Sequence, residues 1–306
     1  MRIVFAGTPT AAVPTLRTLA ASHDIAAVIT RPDAPLGRKR VLTPSPVAQA
    51  AEELGLPILK AALLDDEATG RIAALRPELG VIVAYGGLVR EPLLSTPDRG
   101  WINLHFSLLP QWRGAAPVQR ALIAGDDVLG ASVFQLVPAL DAGDVFAART
   151  VDVPMDATAD VALDVLAEDG ARLTADVVAG IADGTAVAQP QGGEATTAAK
   201  LVFEDGALDW NEPVAAVYAR FRGVTPEPGA HTTVGGLRVK ILAAAPADGA
   251  DALEPGEIAA TKNALLIGTA TTPLAVSRVQ PAGKPAMNAV DWWRGFRSSD
   301  TMRAGS

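Results

Sequence analysis

Cysteine is absent from the 306 residues and histidine occurs only three times. The first absence excludes a disulfide framework, a thiolate zinc site and a cysteine nucleophile, and the scattered histidines offer no metal-ligand spacing, so no metal is expected. Positive charge is in the minority, 26 Lys+Arg against 34 Asp+Glu for a net −8. This excludes a histone-like binder, and any contact with a polyanion must come from a local basic patch. Long hydrophobic runs are missing too. The longest uncharged apolar stretch, Leu79 to Val89, falls well short of the roughly 18 to 20 residues that span a bilayer. The segment Met1–Gly7 carries one positive charge and an apolar run too short for a signal-peptide core, and reads as a first strand. A cytoplasmic chain without membrane contact is the expectation. What is present, 49% apolar and 20% charged residues, suffices for one large or two ordinary domains and excludes disorder over most of the length.

The first half alternates strand and helix signals. Apolar runs at Ile3–Ala6, Ile25–Thr30, Ile58–Lys60, Leu79–Tyr85 and Ile102–His105 read as strands. Between them lie helix patterns at 11–21, 46–54, 66–75 and 116–124, with Thr8 and Ser45 as candidate N-caps and Pro46 at the first helical position. Such alternation predicts a doubly wound, mostly parallel α/β sheet with helices on both faces. After Gly130 the segments 132–137 and 145–153, joined through an Asp/Gly turn, predict an antiparallel pair at the sheet edge, and a helix over about 158–181 follows. Pro, Gly and small polar residues over 184–199 read as a linker. Beyond it, a helix at 213–221 and short strands near 237–243, 256–260, 264–268 and 274–279 predict a small OB-like β-barrel. The expected domains are 1–184, a linker 185–205, and 206–306.

The sharpest chemical signal is Asn103-Leu104-His105-Phe106 followed by Ser107-Leu108-Leu109-Pro110, then Trp112-Arg113-Gly114, and later Asp141-Ala142-Gly143-Asp144. In a strand, residues i and i+2 share a face, so Asn103 and His105 project together while Leu104 faces the other way. They sit at the carboxyl end of a parallel strand, where open α/β sheets build their sites. If the Asp/Gly turn returns Asp141 to His105, the carboxylate orients the imidazole and raises its pKa. On these three residues alone two readings stand, a general acid/base pair or a structural histidine with a turn-forming aspartate.

The longer string Ser107 to Arg120 decides between them, because it resembles the folate-dependent formyltransferases, in the branch that acts on charged tRNA rather than on purine precursors or sugars. Phe5-Ala-Gly-Thr-Pro9, Gly37-Arg38, Pro44-Ser-Pro46, Val83-Ala-Tyr-Gly86, Asp209-Trp210 and Gln280-Pro-Ala-Gly283 extend the resemblance over the chain. Phe106 departs from it, standing where many relatives have Gly. The resemblance implies that the amine of methionine on initiator tRNA attacks the formyl carbon of 10-formyltetrahydrofolate, with Asn103, His105 and Asp141 as the catalytic set and no covalent enzyme intermediate. It implies folate contacts from Ser107, Leu108, Leu109 and Pro110 and from Gly87, Leu88 and Val89, with Tyr85–Val89 and Val137–Asp141 walling the pterin pocket. It also implies that Arg38, Lys39 and Arg40 lie in a loop entering the acceptor end of the tRNA. Prolines 32, 35 and 44 are expected to keep that loop out of regular helix or ladder. Arg220, Arg222, Arg238 and Lys240 are further candidates for phosphate contact, Trp292 and Trp293 are expected to pack the barrel, and a monomer is expected.

Overall fold

The computed structural model describes residues 1–37, 40–296 and 302–306. It divides into two compact units, the first formed by Met1–Pro117, Val128–Val153 and Leu163–Ala198, the second by Val118–Asp127, Pro154–Ala162 and Ala199–Ser306. Among the described residues no helix is long and apolar enough to cross a membrane.

Up to residue 198 the elements are β1 (Arg2–Gly7), α1 (Val13–Ala20), β2 (Asp24–Thr30), β3 (Ala34–Leu36), β4 (Val41–Thr43), α2 (Pro46–Glu53), β5 (Ile58–Lys60), α3 (Asp66–Ala74), β6 (Leu79–Val83), β7 (Trp101–His105), β8 (Arg113–Gly114), α4 (Pro117–Ala124), β9 (Leu129–Gln135), β10 (Val145–Val151), α5 (Ala159–Asp183) and β11 (Thr197–Ala198). Seven strands form the main sheet in the order β10-β9-β7-β6-β1-β2-β5. β5, β2, β1, β6 and β7 run parallel, while β9 is antiparallel to β7 and β10 antiparallel to β9. The antiparallel edge is as expected. The chain winds outward from β1 to β2 and β5, then crosses to β6 and β7, so β1 and β6 flank the switch point where such sheets open a crevice. Thr8 Oγ1 spans that point, donating to the Tyr85 carbonyl at 3.1 Å. It therefore does not cap α1, because its hydroxyl is already spent. Ser45 behaves as expected, its Oγ accepting from Ala48 N at 3.0 Å with Pro46 opening α2.

Both faces of the sheet are covered. Val4, Ala6, Ile29, Leu59 and Ile82 pack with Ala68 and Ile72 of α3, while Ile3, Phe5, Val81 and Val83 are also fully buried, as parallel strands between helices require. Trp101 lies flat over Gly80 across the β6–β7 ladder, and a Cβ on Gly80 would stand 2.1 Å from the indole. Its Nε1 donates to Leu93 O at 2.9 Å, which satisfies the one polar atom of this buried ring.

Three expectations change. β6 ends at Val83 rather than Tyr85, since Ala84 takes a left-handed backbone (φ 47°). The 31–43 loop does form a ladder: β3 and β4 pair antiparallel with Pro35 opposite Leu42, which a two-stranded ribbon tolerates because each strand has a free edge for the missing N–H. Arg38 and Lys39 lie outside the described residues. The third change concerns 185–205: residues up to 198 belong to the first unit, where Gln189 pairs with Val145 and β11 pairs parallel with β8. Backbone pairing rather than apolar packing holds this stretch, so its composition resembles that of a linker. The short helix at 289–293 described below carried no expectation.

The second unit contains α6 (Val214–Gly223), β12 (His231–Val234), β13 (Leu237–Pro246), β14 (Ile258–Ala260), β15 (Leu265–Ile267), β16 (Leu274–Pro281), β17 (Met287–Asn288) and α7 (Ala289–Trp293). Its strands form an antiparallel sheet in the order β12-β13-β16-β15-β14, with β17 on β16. The sheet curls into a half-barrel around Val239, Ile241, Val276, Val279, Trp210, Phe221, Trp292 and Trp293. Residues 303 and 304 bridge to Glu257 and Val234 near its two edges. Asn288 caps α7, accepting from Val290 N at 2.8 Å, and so turns the tryptophan pair inward.

Candidate active site

Asn103 and His105 project from the same face of β7, while Leu104 packs on the opposite face against Gly170 of α5. His105 is 6% exposed. Its Nε2 donates to the Trp112 carbonyl at 2.8 Å, and since a carbonyl only accepts, this fixes the proton on Nε2 and leaves Nδ1 as the basic nitrogen. Nδ1 faces Asp141 Oδ2 at 4.0 Å. Asp141 is itself buried, and Oδ2 accepts the Gly114 N–H at 2.8 Å. The expected return of Asp141 to His105 is thus present, across 36 residues of chain.

The expected upward pull of Asp141 on the imidazole pKa is present as well, but it does not set the net direction. Burial pushes His105 below the usual histidine value, and the Asp141 carboxylate and the Trp112 carbonyl offset this only in part. Desolvation wins because the carboxylate stands beyond hydrogen-bond reach. Burial thus favours the neutral form of the ring. Asn103 Oδ1 is buried with no hydrogen-bond partner among the described residues, an acceptor that a donor from outside the chain would satisfy.

The residues on either side of His105 both adopt left-handed backbone, Trp112 at φ 60° and Asp141 at φ 46°. Such conformations cost on the order of 1–3 kcal/mol each and persist only where the surroundings impose them. Gly143 completes the Asp141 turn because a Cβ there would stand 1.8 Å from the Gln135 carbonyl. Gln135 N in turn donates to Asp144 O at 2.8 Å.

The Ser107–Pro110 segment leaves β7 directly beside the pair. Ser107 is buried, its Oγ donating to Gln111 O at 2.6 Å. Ser132, fully buried on β9 and paired in the ladder with His105, donates to Ser107 O at 2.7 Å and accepts from Leu109 N at 3.1 Å. Leu108 rests against Gly130. The 84–89 segment leaves β6, the neighbour of β7, at the same sheet edge. Leu88 is exposed there, Gly86 O accepts from Arg31, and Val89, half-buried, packs against the Val4/Ile82 core cluster. Arg40 is exposed at the start of the β4 strand. In the second unit Arg220 Nη1 donates to Asp205 O at 3.2 Å, Arg222 lies over Tyr218, and Arg238 over Phe203. Sequence reasoning missed Ser132 and Gln191: nothing local marks a lone serine in a strand or a glutamine among glycines.

A carboxylate-backed imidazole and a carboxamide with an unpartnered oxygen, at the carboxyl edge of a doubly wound sheet, have the chemistry to move a proton while stabilising charge on an oxygen. Residues 1–178 match the formyl transferase family and residues 200–297 its C-terminal domain, and the chain belongs to this family. Among curated relatives, a methionyl-tRNA formyltransferase of Clavibacter sepedonicus is 60% identical over 303 residues, covering 99% of each chain. One of Leifsonia xyli subsp. xyli is 62% identical over 295 residues, covering 96% of this chain and 97% of its own. A solved N-formyltransferase from Helicobacter canadensis, in complex with folinic acid and dTDP-3-aminofucose, shares the fold with a TM-score of 0.69 at 13% identity, covering 90% of this chain and 98% of its own.

Proposed function

We propose that the chain transfers the formyl group of 10-formyltetrahydrofolate to the α-amino group of methionine on initiator tRNA, for translation initiation. The observation that carries this reading is the 60% and 62% identity, over nearly full length, to relatives named for that reaction. Fold alone does not choose the acceptor, since an enzyme acting beside a nucleotide sugar shares it.

The folate supplies a formyl group bound through nitrogen. Asn103 donates its amide N–H to the formyl oxygen as negative charge develops there, and its orphaned Oδ1 accepts from the attacking amine. His105 Nδ1 receives the proton that the amine loses, directly or through a water touching both it and Asp141, and returns it to the departing folate nitrogen. Asp141 stabilises the transient imidazolium. The bond from amine nitrogen to formyl carbon forms, that from formyl carbon to folate nitrogen breaks, one proton passes between the nitrogens, and nothing is oxidised.

Ser107–Pro110 with Gly87, Leu88 and Val89 hold the folate, and Arg38, Lys39 and Arg40 contact the acceptor end of the tRNA. In this reading the enzyme is a cytoplasmic monomer that needs no metal. The test is formyl transfer by the purified protein from 10-formyltetrahydrofolate to charged initiator tRNA. Turnover with that pair, well above that with elongator tRNA, is the expected result. No turnover, alongside activity on an amino sugar nucleotide, would overturn it.

A further inference from the structure

The segment 189–198 is bonded to both left-handed residues that flank His105. On one side Trp112 N donates to Thr196 Oγ1 at 2.8 Å, and Arg113 N to Thr196 O at 2.9 Å. On the other, the Gln191 amide donates to the carbonyls of both Asp141 and Gly143, each at 2.8 Å. Gln191 Oε1 accepts from Arg113 Nε at 3.1 Å and Nη2 at 2.7 Å, which orients the amide and ties the Asp141 turn to the residue after Trp112. Every polar atom of the Gln191 side chain is thus used between the two halves of the site. We infer that Gln191 is a positioning residue: resting on the reading of Asn103, His105 and Asp141 above, it holds the Asp141 turn in its left-handed form so that the carboxylate faces His105 Nδ1.

The physical case is one of offsetting costs. Two left-handed L-residues and a 4.0 Å carboxylate–imidazole gap do not hold themselves, since no direct hydrogen bond joins Asp141 to His105. The Gly114 N–H fixes the carboxylate, while the backbone beneath it is held by Gly143 against β9, by the Ala142 N–H on Ala139 O and the Gln135 N–H on Asp144 O, and by the two Gln191 bonds, one of which reaches the Asp141 carbonyl itself. A displacement of about 1 Å at a reacting group costs up to 100-fold in rate.

The test uses the full-length enzyme with Gln191→Leu, which removes the amide, and Gln191→Glu, which keeps the acceptor for Arg113 and the shape but removes both donors. Each is compared with wild type and with Asp141→Asn by steady-state kinetics and by the ring 15N shifts and titration of His105, one of three histidines. Both Gln191 variants should lower kcat about 10- to 100-fold with KM for folate and tRNA within about threefold. Both should also move the His105 signals toward those of Asp141→Asn. If Gln191→Leu does not fold, Gln191→Glu decides alone. Wild-type kcat in Gln191→Glu, or a fall in kcat with unaltered His105 signals, would overturn the positioning role. Should Asp141→Asn itself leave kcat and His105 unchanged, the reading of the site fails, and this inference with it.

Discussion

Asp141 Oδ2 stands 4.0 Å from His105 Nδ1, too far for a hydrogen bond and close enough that a proton arriving on Nδ1 would lie between two acceptors. In the proposed reaction that geometry suits a pair that receives a proton rather than a standing ion pair. Burial lowers the His105 pKa and Asp141 partly restores it. The acid limb of the kcat profile should therefore lie below pH 6.5, the ordinary histidine value, and Asp141→Asn should move it lower still while cutting kcat. An acid limb above pH 6.5 in the wild type would contradict the burial argument.

The same shift has a stability consequence. The unfolded chain binds a proton on His105 more readily than the folded one, so stability from this group is fully present above about pH 6.5 and is lost as pH falls from there toward the folded pKa. Replacing His105 with Gln, a neutral side chain, should flatten that part of the wild-type melting-temperature profile between pH 6.5 and 5. An unchanged profile would mean that other groups govern it.

Asn103→Ala and His105→Ala should each lower kcat by on the order of 10² to 10⁴, with little change in folate affinity, because each acts on charge or a proton that appears only during reaction. Weakened folate binding with unaltered kcat would place the residue in the binding pocket instead.

Ser132→Ala leaves Leu109 N and Ser107 O without their buried partner. A loss of about 1–3 kcal/mol in unfolding free energy is expected, readable in denaturant melts, together with a raised folate KM as the Ser107–Pro110 turn loosens. A melt indistinguishable from wild type would show that water replaces the hydroxyl.

Arg38→Ala should lower kcat/KM for charged tRNA about 10-fold and leave folate KM unchanged, and the salt dependence should lose about one unit of log–log slope at most. Wild-type values at two salt concentrations would mean that Arg38 makes no phosphate contact.

Much of this was legible in the sequence, for local reasons. Apolar runs of strand length between capped helices specify the doubly wound sheet, and period-two alternation puts Asn103 and His105 on one face without any knowledge of neighbours. Ser45-Pro46 states where α2 begins, and the string from Ser107 to Arg120 carries the family. The left-handed turns at Trp112 and Asp141, the switch of Thr8 from cap to crevice, and the pKa direction of His105 depend on what lies beside these residues in space. Gln191 is the sharpest case: its two donors and one acceptor meet groups 48 to 78 residues away, in a stretch whose glycines and small polar residues look like a linker. Chain-local chemistry fixes which groups are available and which face they take. Only the tertiary structure sets how much water and charge surround them, and that decided that burial, not the Asp141 carboxylate, sets the direction of the His105 pKa.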